Sequence, residues 1–546
     1  MKKTRKIVAM LLACLLVVSI LASCGKTTTP NGNVGGNTTP TPNTNTGTDD
    51  NTDTDTDTPD SNTGSDVFPA DRPLKLAVSQ DSGSLSPLVV SGGFIQVLNC
   101  FYQPLFDTAA DGSRIWILGE SLERIDDIHY TLTIKEGITF SNGNPLTAED
   151  VMYTMELCRD NPQFSLNVKV VDFEKTKVTG DYTIDLWYTV YNASQEPGLT
   201  QLLIMDKESY DEAAISRNPI GTGPYVVTDY VTNSHLHVTA RENYWAEPAK
   251  IKNIEFKVIS EEAQIVNALE TGDIDMASAI PVSEASYVES LGYNIRVANG
   301  NYDLITLFNM TDDPSNPLRT KEARWAVSMA IDREAIAEII YQGLSTVTDY
   351  PASHYQTDYE ERFANMHETY SDAYNLVRAQ ELADQSGLTG QTLRIITNGS
   401  SAFNTLAEMV QADLEKIGVK VDILSYDQAT YFPTMMDTSA FEIAIFNPAT
   451  PTMLAADVIA MYLTFISLGW TGPDRDLYGQ LSMGTLAVYD DVARGDELYK
   501  TLEMFVDFCP WYGICEVVGA RAIAPYLTGV DYMIAGNIHY QYIEYR

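Results

Sequence analysis

The sequence is sparing with side chains that do chemistry. Two of its six histidines stand as His235-Leu236-His237, a spacing that sets both imidazoles on one face of a strand, where they could hold a metal ion. No third ligand lies nearby in the sequence, so a solvated strand face is the plainer reading and no metal is expected. Carboxylates are abundant, but no spacing singles out a pair suited to glycoside hydrolysis. There is no Gly-x-Ser-x-Gly elbow, no His-Glu-x-x-His and no dinucleotide-binding glycine fingerprint. Gly25-Lys26-Thr27 copies the end of a phosphate loop, yet Ile20 stands where its first glycine should be. The motifs therefore name no catalytic residue and no cofactor.

The cysteines divide by position. Cys14 falls within an apolar run, Ile7 to Leu21, which follows the basic Lys2, Lys3, Arg5 and Lys6 and closes on Leu21-Ala22-Ser23-Cys24. That pattern is a secretory signal, residues 1–23, with a lipidation site at Cys24. The run is shorter than the roughly 20 residues a membrane-spanning helix needs. Acyl chains on one cysteine, at about 0.8 kcal/mol per buried methylene, would hold the chain at the outer face of the cell membrane. Of the rest, Cys509 and Cys515 either form a disulfide in that oxidising setting or stay as buried thiols, and neither they nor Cys100 and Cys158 show metal-binding spacing.

Residues 24–70 hold the lipidated cysteine and a Thr-, Asn- and Asp-rich stretch, Thr27 to Asp66, with scarcely an apolar side chain to bury. Such a segment cannot offset the entropy of ordering and is expected to be a disordered tether, with a reach of roughly 35 Å. The formal charge of -39 becomes more negative still once the signal's basic residues leave, which disfavours nucleic acid and anionic lipid as partners. The remaining chain, to Arg546, is too long for one compact domain.

Its elements alternate. Leu74 to Val78 alternates as a strand and leads into a polar loop, Asp81 to Pro87, of the kind that holds ligands at a lobe edge. Tyr130 to Ile134 is a second strand and Asn142-Gly143 a turn. Thr147-Ala148-Glu149-Asp150 has the form of a capping box opening a helix that Asn161-Pro162 stops. Helices are expected over Glu261–Glu270, Ala323–Ile331 and Phe403–Ile417, with Asp332 capping a further one that Gly343 ends. Val419, Val421 and Ile423 then alternate as a strand. Strands interleaved with helices of this length argue for α/β lobes.

Five stretches carry a resemblance to a known family. Gly221-Thr222-Gly223-Pro224-Tyr225-Val226-Val227, followed by Arg241-Glu242-Asn243-Tyr244-Trp245, resembles the signature of the family 5 solute-binding proteins, extracytoplasmic receptors of peptide, nickel and oligosaccharide importers. Its glycines allow a close-packed turn that the proline fixes. Leu132 to Val151, Ala268 to Asp275, Arg324 to Arg333 and Leu414 to Val419 are similar to further family segments, in the family's order.

The resemblance implies a two-lobed periplasmic-binding-protein-like α/β fold (type II, cluster C) with an extra subdomain in the first lobe. The implied division is lobe I at 71–110, 219–298 and 516–546, the subdomain at 111–218, and lobe II at 299–515. It also implies a monomer, not an enzyme, that encloses a small solute as the lobes close and docks on an ABC permease. Arg324 and the capped helices are expected to hold the fold rather than touch solute.

Family members that bind peptides carry an aspartate soon after the strand matching Phe441 to Phe446, where it meets the peptide's amino terminus. Here Asn447-Pro448-Ala449-Thr450-Pro451-Thr452 follows, with no carboxylate before Asp457. An unpartnered buried ammonium is costly, so amides, hydroxyls and aromatic planes are left to meet a peptide or an oligosaccharide. The expected ligand-binding residues are Ser82, Tyr102, Tyr355, Asn447, Thr450, Trp470 and Trp511, with Tyr350 and Tyr512 on the same segments. Nickel is disfavoured, since His354 is the only histidine near the expected cleft. A ligand sensor and a secreted hydrolase are the alternatives from other functional classes.

Overall fold

Short alternating segments build most of the strands. The computed structural model describes residues 68–69, 71–89, 95–109, 113–161, 164–348, 351–353, 356–364, 366, 373–448, 454–465, 469–531 and 538–546. Along the chain the strands are β1 (Leu74–Val78), β2 (Phe106–Thr108), β3 (Arg114–Trp116), β4 (Gly119–Arg124), β5 (His129–Ile134), β6 (Lys177–Gly180), β7 (Thr183–Trp187), β8 (Tyr225–Val231), β9 (His235–Ala240), β10 (Asn253–Val258), β11 (Met276–Ile280), β12 (Asn294–Phe308), β13 (Thr392–Thr397), β14 (Lys420–Ser425), β15 (Ile443–Phe446), β16 (Trp511–Ile523), β17 (Leu527–Thr528) and β18 (Glu544–Tyr545). In β5 the even positions Tyr130, Leu132 and Ile134 are buried and the odd ones are not, as a strand with one face on a core requires.

Ten strands form one sheet in the order β14-β13-β15-β12-β16-β11-β1-β10-β9-β8, and β4-β5-β7-β6 form a separate antiparallel sheet. The end of the large sheet made by β8 to β11 with β1 is termed the first lobe and the end made by β13 to β15 the second, with β12 and β16 between them. The small sheet packs the helix Ala148–Asp160 over its own core, where Leu132, Ile134, Phe140, Val151 and Met155 are buried. A second core, with Leu76, Tyr102, Tyr225 and Phe256, lies under the first lobe. The largest core fills the second lobe and runs along β16 to Ala277 and Ile274.

The helix boundaries follow from local chemistry. Asp150 Oδ2 accepts from the Thr147 N–H at 2.8 Å and from its hydroxyl at 2.9 Å, so the acid does reach back to the cap. Asp332 accepts from the Ala335 N–H at 3.0 Å. The helix it opens, Arg333–Tyr341, closes through Gln342 and the expected Gly343, both left-handed at φ 52° and 73°. Arg324 is buried and donates to the carbonyls of Leu318, Arg319, Phe508 and Cys509 at 2.6 to 3.2 Å. A cation is well placed there, at the C-terminal end of the helix Asp491–Phe508. Cys509 and Cys515 stay as buried thiols, as do Cys100 and Cys158. Among the described residues no helix is long and apolar enough to cross a membrane. The signal, Cys24 and the tether lie outside the described residues.

Candidate functional site

Strand direction decides where a solute can be held. In the first lobe β1 runs parallel to β10 and β11, and the end of β11, Ile280, pairs with Ala520 of β16. Followed from there toward its own start, β16 passes Glu516 and enters the second lobe at Trp511. The carboxyl ends of β1, β10 and β11 therefore face the second lobe. There, β15 pairs antiparallel with β12, and Phe446 at its end lies opposite Ile305. Parallel β13 and β14 thus also point their carboxyl ends back at the first lobe. Loops leaving the carboxyl ends of such strands are the usual ligand positions of open α/β sheets. Here two sets of them face each other.

The floor of this cleft is the middle of β12 and β16, where Asp303 pairs with Glu516 beside shifts of register. Both carboxylates are buried. Thr348 donates to Asp303 Oδ1 at 3.0 Å, and the Ser353 hydroxyl donates to Oδ2. Glu516 N–H donates to Thr346 O at 2.9 Å, and the Ser345 hydroxyl to Glu516 O at 2.6 Å. Arg333 donates to the carbonyls of Thr348 and Gly513 and lies 4.9 Å over the Tyr512 ring. Together these bonds lash Ser345, Thr346, Thr348 and Ser353 to the two crossing strands. Burial pushes the Cys515 thiol in the same place up to about 12, and Asp303 adds to the shift.

Several contacts bridge the cleft. Glu262 Oε2, just after β10, accepts from Ser401 just after β13 at 3.1 Å. Gln342 donates to Ser283 O at 3.3 Å. From the small sheet, Ala193 N–H donates to Leu486 O at 2.8 Å, Tyr191 meets Tyr489 edge-on at 5.3 Å, and the Arg124 guanidinium lies 3.9 Å over the Tyr489 ring. Lys169 Nζ stands 3.5 Å from Asp457 Oδ1, whose side chain is 11% exposed. Asp457 is in the first turn of the helix Ala455–Phe465, which follows the loop leaving β15.

Against this geometry the expected residues separate. Ser82 lies partly exposed on the loop after β1, which Asp81 ties to the β8–β9 turn by accepting from the Tyr230 hydroxyl and Asn233 N–H, each at 2.6 Å. Asn447 is partly exposed on the loop after β15. Tyr350, His354, Tyr355 and Thr450 lie outside the described residues. The other aromatics are in cores. Tyr102 is buried under the first lobe. Trp470 packs 4.9 Å from Phe508 and Trp511 packs 4.3 Å from Phe505, toward the end of the second lobe away from the crossing. Both indoles are buried in the largest core, and Tyr512 is buried beside them. Sequence reasoning missed Asp303, Glu516 and Lys169, whose neighbours are distant in sequence.

The signature turn proves to be architecture. A Cβ on Gly221 would stand 2.2 Å from Phe101 O, and one on Gly223 would stand 2.5 Å from Cys100 O. The glycines serve close backbone approach here, not a positive φ. Arg241 donates to Gly221 O and Thr139 O at 3.2 and 2.7 Å, and burial pulls its guanidinium down to about 10.

Residues 117–464 match the profile of the bacterial extracellular solute-binding proteins, family 5 (middle). The chain belongs to that family. As a family 5 protein it is an extracytoplasmic solute-binding protein of the ABC-transporter type and not an enzyme. Among curated relatives, it is 26% identical over 386 residues to the nickel-binding periplasmic protein of Escherichia coli K12, covering 65% of this chain and 71% of the other. It is 23% identical over 349 residues to di/tripeptide-binding protein 3 of Pseudomonas aeruginosa, covering 58% and 63%. Its two-lobed fold is that of the substrate-binding protein CtaP from Listeria monocytogenes, with TM-score 0.76, 21% identity and coverage of 87% and 100%. It is likewise similar to the oligopeptide-binding protein AppA of Bacillus subtilis in complex with a nonapeptide, with TM-score 0.74, 17% identity and coverage of 87% and 99%.

Proposed function

We propose that this family 5 protein is a lipoprotein, anchored through Cys24 and tethered by residues 24–70, that captures a peptide or similar small polar solute between its lobes as a monomer. The observation that carries the cargo reading is the Lys169–Asp457 pair, an ammonium set against a carboxylate across the lobes. Asp457 is the first acid after β15, and it supports recognition of a cationic group even though Asn447 to Thr452 offers none. A peptide's amino terminus would take the place of the lysine, while amides and hydroxyls at Ser82, Asn447, Thr450 and Tyr355 meet its backbone. A ligand touching both sets of loops favours the closed form by its differential contacts. The names of the nickel-binding relatives make a nickel complex the second reading.

Thermal unfolding tests it against free-amino peptides, amino-acetylated peptides, oligosaccharides and nickel with histidine. A ligand at 100 times its dissociation constant adds about 2.7 kcal/mol to the native state. Free-amino peptides are expected to give the shift, and Asp457→Asn is expected to reduce it. A shift with sugars alone would overturn the peptide reading, and equal binding of acetylated peptides would remove the role of Asp457.

A further inference from the structure

The β8–β9 hairpin carries a cluster that the solute cleft does not use, and it corrects the reading of His235-Leu236-His237 as a pair without a third ligand. Strand β9 turns Leu236 and Val238 into the first-lobe core and leaves His235 and His237 half-buried on its other face. On β8 the register slips at Thr228. Val227 stands opposite Val238, but Asp229 stands opposite His237. Without the extra residue Asp229 would face Leu236. The bulge re-aims its carboxylate onto the imidazole face.

The geometry there is close to that of a coordination site. His235 Nε2 is 2.9 Å from Asp229 Oδ2, and the two imidazole centroids are 4.6 Å apart. One ligand atom from each of the three residues lies within 4.8 Å of the others. Metal–nitrogen and metal–oxygen bonds of about 2.0–2.1 Å in a tetrahedron set donors roughly 3.4 Å apart, so side-chain rotations of about an ångström would complete the set. The Ser234 hydroxyl lies 2.9 Å from His235 Nδ1, which orients the ring and leaves Nε2 toward Asp229, as outer-sphere partners of metal-binding histidines do. Lys257, in register with His235, is drawn away by Asp273, with Nζ 2.7 Å from Oδ2. Glu255, in register with His237, adds a second carboxylate to the same face.

We propose that Asp229, His235 and His237 form a binding site for a borderline divalent transition-metal ion such as Zn2+, with solvent completing its coordination. Two imidazoles and one carboxylate suit such ions better than the all-oxygen sets that hold calcium or magnesium. A bound ion would staple the edge strand β8 to β9. Strand β9 lies four strand spacings from β16, or about 19 Å, so the site is separate from the cleft floor.

Isothermal titration of the purified chain with Zn2+ tests the assignment, using wild type, Asp229→Asn, His237→Gln and the double variant His235→Gln/His237→Gln. One ion is expected to bind wild type, with affinity at least about tenfold weaker in each single variant and the event absent in the double variant. Because the three side chains are outside the core, the metal-free melting temperatures should not change. Cu2+ loaded onto wild type should show two coordinated nitrogens by electron paramagnetic resonance, and none from this site in the double variant. Failure of wild type to take up zinc, undiminished binding in the double variant, or a copper signal with fewer than two nitrogens would overturn the proposal.

Discussion

The signature turn at Gly221–Tyr225 and the crossing of β12 with β16 are both buried and both dense in hydrogen bonds, yet they differ in what they hold. Around the turn a buried cation, Arg241, donates to the carbonyls of Gly221, Thr139 and Asn243 and to the Thr139 hydroxyl. At the crossing, the Asp303 carboxylate on β12 holds the hydroxyls of Thr348 and Ser353, and the Glu516 backbone on β16 holds Ser345 and Thr346. The motif that makes the family visible is therefore architecture. The place that couples the lobes carries no motif at all.

Substitutions can separate the two roles. The largest effect is expected at Gly223→Ala or Arg324→Met. The first drives a methyl into backbone, and the second leaves several buried carbonyls without a donor, so each should cost about 3 kcal/mol or more in chemical denaturation. Solute affinity of the surviving folded protein should hold. Asp303→Ala should cost less, about 1–3 kcal/mol for the hydroxyls of Thr348 and Ser353 left without their acceptor. It should instead weaken solute binding by calorimetry, since Thr348 and Ser353 lose their tie to β12. If Gly223→Ala weakened binding and Asp303→Ala did not, the division of labour would be wrong.

Thiol chemistry sets the crossing beside the core of the small sheet. Burial pushes the thiols of Cys158 and Cys515 up to about 12, so both should resist alkylation at pH 8 in the native protein and react on unfolding, as read by peptide mapping. Reactivity in the folded state should rise only as pH nears that value. The smallest effect is expected for Lys169→Ala. The ion pair is partly solvated, so stability should move by less than about 0.5 kcal/mol. Binding of a free-amino peptide should tighten, because Asp457 is released.

Much of the fold was legible because its signals are local. Thr147 and Asp150, Asp332, and the alternation of β5 each act over a few residues, and the ordered stretches from Leu132 to Val419 pointed to the family. The cleft was not, for the opposite reason. Asp303 meets Glu516 across more than two hundred positions, and no pattern in either strand marks the encounter. Asp229 escaped notice because a single bulge residue decides which face it takes. Ring chemistry alone does not say whether Trp470 and Trp511 serve a solute or a core, because large aromatic side chains bury the most apolar area, and both are buried in the largest core.

Small-angle X-ray scattering of the chain, alone and saturated with the free-amino peptide that gives the largest melting shift, tests most directly whether a solute draws the two lobes together over β12 and β16. The radius of gyration should fall on binding in wild type and fall less in Asp303→Ala. Saturating peptide that leaves the scattering of wild type unchanged would mean that a single lobe holds the solute, and the account of the cleft would be wrong.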